Sequence, residues 1–366
     1  MLKTPGHHSA SVRLLLGLVL VYALPAIAQE EDAPPSTLPS LGAAETGASV
    51  VGVSSGGYMA LQLAVAWPER FTGVGVLAAG PWSCSQGSLS LALNQCMMTR
   101  RGVPSLEALN TRWANYREQD QVGSESARSA LRAYVWHGEE DAVVEPVLGD
   151  LLAEQLQQWL ASDDQLKVVR SEQTGHGWPV SLTGNQQSLS QPLDSCLSGG
   201  GSHLLACDED IAADMLDWLH PDAGSAATSA AQGELIRFDQ SDFDAKGLAD
   251  NGYVYLPEGC DDGSCEVTMA LHGCQMNAEQ LGETFVRGTG LNEWADQHRR
   301  IVLYPQAEST LANPQGCWDW WGFAESSWQL NPLHDTRQGT QVSALIAMLD
   351  RLQSSSDAND DANNNE

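Results

Sequence analysis

Short apolar runs alternate with longer segments of helical periodicity along most of the chain. Runs bounded by Gly, Pro or polar residues predict buried strands. These runs lie at 48–51, 74–78, 133–136, 166–169, 235–238, 252–256, 267–271 and 301–304. Predicted helices lie at 58–66, 147–160, 211–219, 290–300 and 334–352, with polar helical character over 105–133. Strands that alternate with helices indicate an α/β fold, in which a mostly parallel sheet is covered by helices on both faces.

The same pattern predicts one folded domain rather than two. A stretch rich in Ser, Ala and Gly, 223–233, is typical of a linker, but the segments on either side of it look incomplete alone. We therefore interpret it as a loop within a single domain at 48–353, preceded by a flexible leader at 29–47. The tail at 354–366 lacks large apolar residues, which predicts disorder. The closing helix carries a stripe of apolar residues at helical spacing: Val342, Leu345, Ile346 and Leu349.

The first 28 residues predict a secretory signal peptide. Lys3 and Arg13 give it a basic start, and the apolar stretch 14–24 is short for a membrane span. Ala26-Ile27-Ala28 is a small-residue cleavage site, so we expect the mature chain to begin at Gln29. The alternative is a retained membrane anchor. The prediction is a secreted protein, extracellular or periplasmic.

The chain is strongly acidic. Its formal charge is −29, and removal of the signal peptide, which holds two basic and no acidic residues, takes it to −31. Lysine occurs only at positions 3, 167 and 246. Such a surface repels phosphates and anionic lipids, so the composition excludes nucleic acid and membranes as partners.

Eight cysteines follow the predicted signal peptide, and an even number in a secreted chain favours disulfides. Proximity favours the pairs Cys84–Cys96, Cys196–Cys207 and Cys260–Cys265, which leaves Cys274 and Cys317. Other connectivities stay open at this point. A zinc site is disfavoured because no C-x-x-C spacing and no helical His pair occur. No metal or organic cofactor is expected.

The residues Gly52-Val53-Ser54-Ser55-Gly56 form a G-x-S-x-G motif between a predicted strand and a predicted helix. This context is typical of a nucleophile elbow, in which the serine is exposed on a sharp turn above the sheet. The expected chain order is then Ser, acid and His. Asp141 follows the strand at 133–136 and is the predicted acid, with Glu139 and Glu140 as alternatives in the same loop.

His176 is the predicted general base. It lies between two glycines in the loop after the strand at 166–169, which leaves its ring free to approach the serine. His137 is the competing candidate, but it precedes the acid within one loop. A serine needs such a base, an acid to orient it and donors for the oxyanion.

Two backbone N–H groups are predicted to form the oxyanion hole. One belongs to Ser55, which follows the nucleophile, and the other to Cys274 in the loop His272-Gly273-Cys274-Gln275. Cys274 is alternatively a structural half-cystine, and the two roles are compatible. Three tryptophans, Trp318, Trp320 and Trp321, are predicted either as core residues or as an apolar platform for substrate at the mouth of the site.

Together these motifs resemble the secreted poly(3-hydroxybutyrate) (PHB) depolymerases. The resemblance runs over roughly 48–352 and rests on segments 52–58, 136–141, 174–179, 238–240, 271–275, 304–306 and 316–322. It is closest to the class with a type 2 catalytic domain, a circularly permuted α/β-hydrolase. It implies Ser54, Asp141 and His176 as triad, the Ser55 and Cys274 amides as oxyanion hole, and the tryptophans as an apolar surface near the crevice.

Many members of that family carry a separate substrate-binding domain after the catalytic one, whereas this chain ends in a short polar tail. The resemblance therefore implies a monomeric esterase that grips polyester or short 3-hydroxyacid oligomers with its catalytic domain. A feruloyl or acetylxylan esterase is the alternative enzyme, although those families usually have the motifs in unpermuted order. A catalytically silent polyester-binding protein is the alternative outside catalysis.

Overall fold

The computed structural model describes residues 1–2, 6, 35–182, 189–224, 233–261, 263–325 and 331–355. The chain divides into two units, Met1–Pro34 and Pro35–Glu366, and every element below belongs to the second. Most of the predicted signal peptide and of the tail at 354–366 lies outside the described residues. Within the described residues, no helix combines the length and apolarity that crossing a bilayer requires.

Two sheets organise the second unit. Strands of the nine-stranded sheet are β1 Ser36–Thr37, β2 Ser49–Val53, β3 Gly73–Leu77, β4 Arg132–Gly138, β5 Leu166–Ser171, β9 Glu234–Asp239, β10 Asn251–Leu256, β11 Glu266–Leu271 and β12 Arg300–Tyr304. Strands of the three-stranded sheet are β6 Trp178–Val180, β7 Asp194–Ser195 and β8 Leu204–Ala206.

Helices connect most of these strands. The α-helices are α1 Ser55–Ala66, α2 Leu89–Gln95, α3 Leu106–Glu118, α4 Glu125–Ser129, α5 Pro146–Trp159, α6 Ile211–Leu219, α7 Ala278–Leu281, α8 Thr284–Gly288, α9 Leu291–His298 and α10 Thr340–Gln353. Short 3-10 helices lie at Pro68–Arg70, Asp163–Gln165 and Ser241–Phe243.

The order of the large sheet is β1-β9-β10-β12-β11-β2-β3-β4-β5. Strand β10 is antiparallel to both of its neighbours, and the other pairs are parallel. The strand that leads to the G-x-S-x-G motif, β2, therefore lies between β3, which follows it in sequence, and β11, which comes more than two hundred residues later. Strands from both halves of the chain therefore lie in one sheet.

Backbone hydrogen bonds join the start of the folded unit to the end of its last helix. The Leu41 and Ala43 N–H groups donate to Leu352 O at 3.2 and 3.0 Å, and the Gly42 N–H donates to Ser354 O at 2.8 Å. If the chain ends were joined here, α10 would lead directly into β2. A circularly permuted α/β-hydrolase is expected to have its chain ends close together at this point.

Separate hydrophobic cores lie on the two faces of the sheet. Successive residues of a strand point to opposite faces, and in β2 Val50 packs in one core whereas Val51 and Val53 pack in the other. The first core holds α1, α5 and α10, including the predicted stripe of α10, and the second holds α6 and α9. Every residue of α1 is buried, as expected for a helix at the centre of the sheet.

One segment differs from the prediction. The segment assigned to a flexible leader contributes β1, whose Ser36 and Thr37 pair with Phe238 and Asp239 of β9. The three-stranded sheet is formed within 178–207. The disulfide Cys196–Cys207 within it is present, as are Cys84–Cys96, Cys260–Cys265 and Cys274–Cys317.

Candidate active site

Ser54 occupies a strained turn at the carboxyl end of β2. Its φ of 56° and ψ of −121° lie in a region that residues with a side chain rarely adopt. The turn is tight because a Cβ on Gly52 would lie 2.3 Å from Gly56 O, and one on Gly56 would lie 2.2 Å from Leu271 O. The G-x-S-x-G spacing is therefore required by the close approach of α1 to β2 and β11. This geometry is that of a nucleophile elbow.

Asp141 and His176 follow neighbouring strands at the same edge of the sheet. Asp141 comes after β4 and His176 after β5, and both side chains are buried. His176 Nδ1 donates to Asp141 Oδ2 at 2.7 Å. The loop that carries the histidine is tied to the small sheet, because the Gly175 N–H donates to Cys196 O at 2.8 Å.

The Asp141 carboxylate is held ionised by its donors. Its Oδ1 accepts the N–H groups of Val143 and Val144 at 2.8 and 2.9 Å. Burial alone would raise its pKa, but the charge of His176 and hydrogen bonds from His137 and His176 outweigh burial and hold the pKa well below its usual range. The exposed Glu139 and Glu140 do not share these contacts, so the arrangement favours Asp141 over the two alternatives.

The loop after β11 lies beside the serine. A Cβ on Gly273 would come 3.3 Å from Ser54 Cβ. Neither the Ser55 nor the Cys274 N–H donates a backbone hydrogen bond to another described residue, so both donors are available to a ligand. These two groups are the ones predicted for the oxyanion hole.

This loop is anchored by a neutral histidine. His272 Nδ1 donates to Gly273 O at 2.7 Å, and its Nε2 accepts the Ala307 N–H at 3.0 Å. Burial lowers the pKa of His272 to about 4, although the bond to the Gly273 carbonyl opposes the shift. The Trp318 Nε1–H donates to His272 O at 3.0 Å. Two residues further along the loop, Cys274 is fixed by its disulfide to Cys317. The His-Gly-Cys loop is thus held through three separate contacts.

The predicted tryptophan platform is wrong for two of its three residues. The exposed fractions of Trp318 and Trp320 are 0% and 6%, so both belong to the core. Trp318 supports the oxyanion loop, and Trp320 stacks on Tyr58 of α1 with ring centroids 4.4 Å apart. Trp321 is half-buried and stays a candidate for substrate contact.

A histidine that sequence reasoning missed lies against the predicted base. The His203 ring packs edge-on to His176 with centroids 6.1 Å apart. Burial, together with the charge of His176, lowers the pKa of His203. Its φ of 56° and the bond from its N–H to Asp194 Oδ2 at 2.7 Å hold it there. In the sequence, His203 follows a stretch rich in Ser and Gly, and no motif there indicates that it lies near the site.

The arrangement defines a class of protein. A strained serine at the elbow, an Asp–His pair on the next loops and two free N–H groups beside the serine are the parts of a serine hydrolase of the α/β-hydrolase class. In the described part of the chain, no three His, Cys, Asp or Glu side chains converge as a metal site would require. The permuted strand order distinguishes this hydrolase from the ordinary form of the fold.

Comparison with known proteins narrows the class to a family. Residues 35–186 match the family described as putative esterases, and residues 251–329 match that of esterase PHB depolymerases. A poly(3-hydroxybutyrate) depolymerase of Delftia acidovorans is 32% identical over 87% of this chain, and the match spans 62% of that protein. A polyhydroxybutyrate depolymerase of Talaromyces funiculosus is 31% identical over 87% of this chain and 92% of its own length.

Solved structures agree with the sequence matches. The crystal structure of PHB depolymerase from Penicillium funiculosum superposes with a TM-score of 0.77 at 29% identity, covering 87% of this chain and 99% of that one. A serine-to-alanine PHB depolymerase complexed with an R3HB trimer matches to the same extent. The chain belongs to the PHB depolymerase family and has the circularly permuted α/β-hydrolase fold of that family. These matches favour a PHB depolymerase over the alternative of a carbohydrate esterase.

Proposed function

We propose that the protein is a secreted serine esterase that hydrolyses the ester bonds of PHB or its oligomers. The observation that carries the proposal is the placement of Ser54 in the elbow beside Gly273, with the hydrogen-bonded Asp141–His176 pair on the following loops. Membership of the family and the R3HB trimer bound by a structural relative support the substrate class.

The proposed reaction passes through an acyl-enzyme. His176 removes the proton of Ser54 Oγ, and the alkoxide attacks the ester carbonyl carbon. The oxyanion accepts hydrogen bonds from the Ser55 and Cys274 N–H groups. His176 then protonates the leaving alkoxide oxygen, which departs as a hydroxyl. Water, deprotonated by the same histidine, attacks the acyl-enzyme, and the histidine returns the proton to Ser54 Oγ as the 3-hydroxyacid is released. Asp141 orients the imidazole and stabilises its charged form.

An active-site probe tests the nucleophile directly. A fluorophosphonate reacts with an activated serine and not with an ordinary one, so we expect stoichiometric labelling of Ser54 in the wild type and none in Ser54→Ala. The matched control is Ser55→Ala, which removes the neighbouring hydroxyl but keeps its N–H and should still be labelled. Labelling of Ser54→Ala would contradict the assignment.

The surface around the site suits adsorption to an apolar polyester. Nine large apolar side chains are exposed among the described residues of the second unit, and eight lie in loops and helices outside the strands of the large sheet. The eight are Leu89, Leu93, Val103, Val143, Val147, Leu182, Leu197 and Leu311. A contiguous exposed apolar surface marks an interaction face, and we propose that several of these residues form one.

Adsorption can be separated from catalysis. Leu89 and Leu93 lie four residues apart on α2, with exposed fractions of 52% and 46%, so a Leu89→Ser/Leu93→Ser variant removes apolar surface without opening the core. We expect weaker retention on PHB film and unchanged turnover of a soluble oligomer. The control is Val168→Ser, an exposed residue within β5. Equal loss of retention in both variants would contradict a localised adsorption face.

Secretion and oligomeric state are part of the proposal. Four disulfides and the predicted signal peptide support export, and we expect the exported chain to begin at Gln29 and to sediment as a monomer. Amino-terminal sequencing and analytical ultracentrifugation of the exported protein test both statements.

A further inference from the structure

A second buried histidine contacts the carboxylate of the proposed triad. His137 Nε2 lies 3.3 Å from Asp141 Oδ2, the same oxygen that accepts the His176 Nδ1–H at 2.7 Å. The ring is fully buried at the carboxyl end of β4. The sequence alone offers His137 only as a competing candidate for the base.

The hydrogen bonds fix the tautomer of His137. Its Nε2 lies 2.9 Å from Val144 O, and because a carbonyl oxygen only accepts, Nε2 must carry the proton. The proton is donated to the Val144 carbonyl, and the same N–H group lies beside the carboxylate, with Nε2 3.3 Å from Asp141 Oδ2. Nδ1 is buried and has no hydrogen-bond partner among the described residues, which agrees with an unprotonated nitrogen.

The loop closes around the carboxylate through this ring. The Val144 N–H donates to Asp141 Oδ1, and the Val144 carbonyl accepts from His137 Nε2, which also lies 3.3 Å from Oδ2. His137 therefore fixes Val144, the residue that donates to the carboxylate, and also places its own N–H beside the second carboxylate oxygen. Gly149 of α5 makes room for the ring, since a Cβ there would lie 2.5 Å from Nδ1.

We propose that His137 is a positioning residue of this esterase: as a neutral Nε2–H donor it holds the Asp141 carboxylate in the orientation that His176 requires. The inference rests on the proposed function. It adds a second histidine that acts on the triad through the acid and does not exchange protons with substrate. Loss of its N–H releases the Val144 carbonyl and removes the positive end of a dipole from beside Asp141 Oδ2, so the carboxylate becomes freer to rotate and a stronger acceptor for His176.

A pair of isosteric variants tests the role. His137→Gln keeps an N–H near the position of Nε2, whereas His137→Met fills the same space without a donor. We expect kcat/KM on a soluble 3-hydroxybutyrate oligomer to fall about tenfold in His137→Met and to recover most of that loss in His137→Gln.

The pH profile separates positioning from simple packing. Because a carboxylate with fewer donors stabilises the His176 imidazolium more strongly, the acidic limb of kcat/KM should move to higher pH in His137→Met and stay near its wild-type place in His137→Gln. The other ionisable neighbours are the same residues in both variants. His203 packs edge-on to the His176 ring with centroids 6.1 Å apart, so any effect of its charge on the acidic limb is common to the two. Burial raises the pKa of Tyr58 far above its usual value and keeps it protonated, and Glu139 and Glu140 are exposed.

Equal rates and equal acidic limbs in the two variants would overturn the proposal. If neither variant folds, Gly149→Ala gives the kinetic test, because its Cβ displaces the ring and should move the limb in the same direction. An unmoved limb there would also overturn it, as would imidazole nitrogen NMR of the wild type that finds the His137 proton on Nδ1. Failure of the proposed function is distinct, since it appears as equal turnover by the wild type and Ser54→Ala.

Discussion

The disulfide Cys274–Cys317 is expected to contribute to both stability and rate, and the two contributions can be measured separately. It joins residues 43 apart in sequence, and the entropy of closing such a loop gives about 4 kcal/mol of stability. Cys260–Cys265 joins residues only 5 apart, for which the same relation gives about 2 kcal/mol. The second disulfide bears no group proposed for catalysis, so it serves as the matched control.

Replacing both members of each pair with serine gives the comparison. In Cys274→Ser/Cys317→Ser we expect a loss of about 4 kcal/mol in the free energy of unfolding. We also expect a fall of about tenfold to a hundredfold in kcat, because a displaced oxyanion donor stabilises the transition state less. His272 and Trp318 still hold the start of the loop, which limits the loss. Cys260→Ser/Cys265→Ser should lose about half as much stability and keep its kcat.

Urea unfolding gives the free energies, and turnover of a soluble 3-hydroxybutyrate oligomer, measured well below each unfolding midpoint, gives kcat. A Cys274→Ser/Cys317→Ser variant that loses stability but keeps the wild-type kcat would refute the role of this disulfide in holding the oxyanion donor. A variant unchanged in both quantities would refute the loop-closure argument as well.

Three further predictions follow from the packing and charge of the site. Gly56→Ala should abolish activity and strongly reduce folded yield, because its Cβ would lie 2.2 Å from Leu271 O; circular dichroism and expression yield check it, and a folded, active variant would contradict it. Asp141 has a depressed pKa in the folded state, so its contribution to stability is present above about pH 4 and is lost as pH falls further. The difference in unfolding free energy between wild type and Asp141→Asn should therefore shrink with acidification, and a difference independent of pH would contradict that pKa shift. Trp318→Phe keeps an aromatic ring but removes the N–H that His272 O accepts, so we expect a stability loss of about 1 kcal/mol and a reduced kcat; Trp321→Phe, measured alongside, should keep the stability of the wild type.

The positions of the strands in the large sheet follow closely from the apolar pattern, because six of its nine strands are almost entirely buried. The predicted run 267–271, for example, is the observed β11 Glu266–Leu271 to within one residue. The very short strands escaped prediction. β1 and β7 are two residues long and are defined by their pairing with β9 and β8, so no local periodicity marks them.

The candidate triad residues could be predicted from the sequence because each one directly follows a strand of the parallel part of the sheet. Ser54, Asp141 and His176 follow β2, β4 and β5, three of four consecutive parallel strands, and the loops at the carboxyl edge of such a sheet converge. Burial was not predictable in the same way, because a Trp is equally apolar in the core and at a surface, and Trp318 proved to be a buried support. His203 reaches His176 only through the folding of the small sheet, which leaves no motif in the sequence.

The most direct test of the central claim is the release of 3-hydroxybutyrate from amorphous PHB, with Ser54→Ala as the blank and methyl ferulate and acetylated xylan as competing substrate classes. We predict release from the polymer by the wild type, none by Ser54→Ala and no turnover of the two carbohydrate-side esters. Turnover of ferulate or acetyl esters without release from PHB would contradict the proposed substrate, and equal release by Ser54→Ala would contradict the proposed nucleophile.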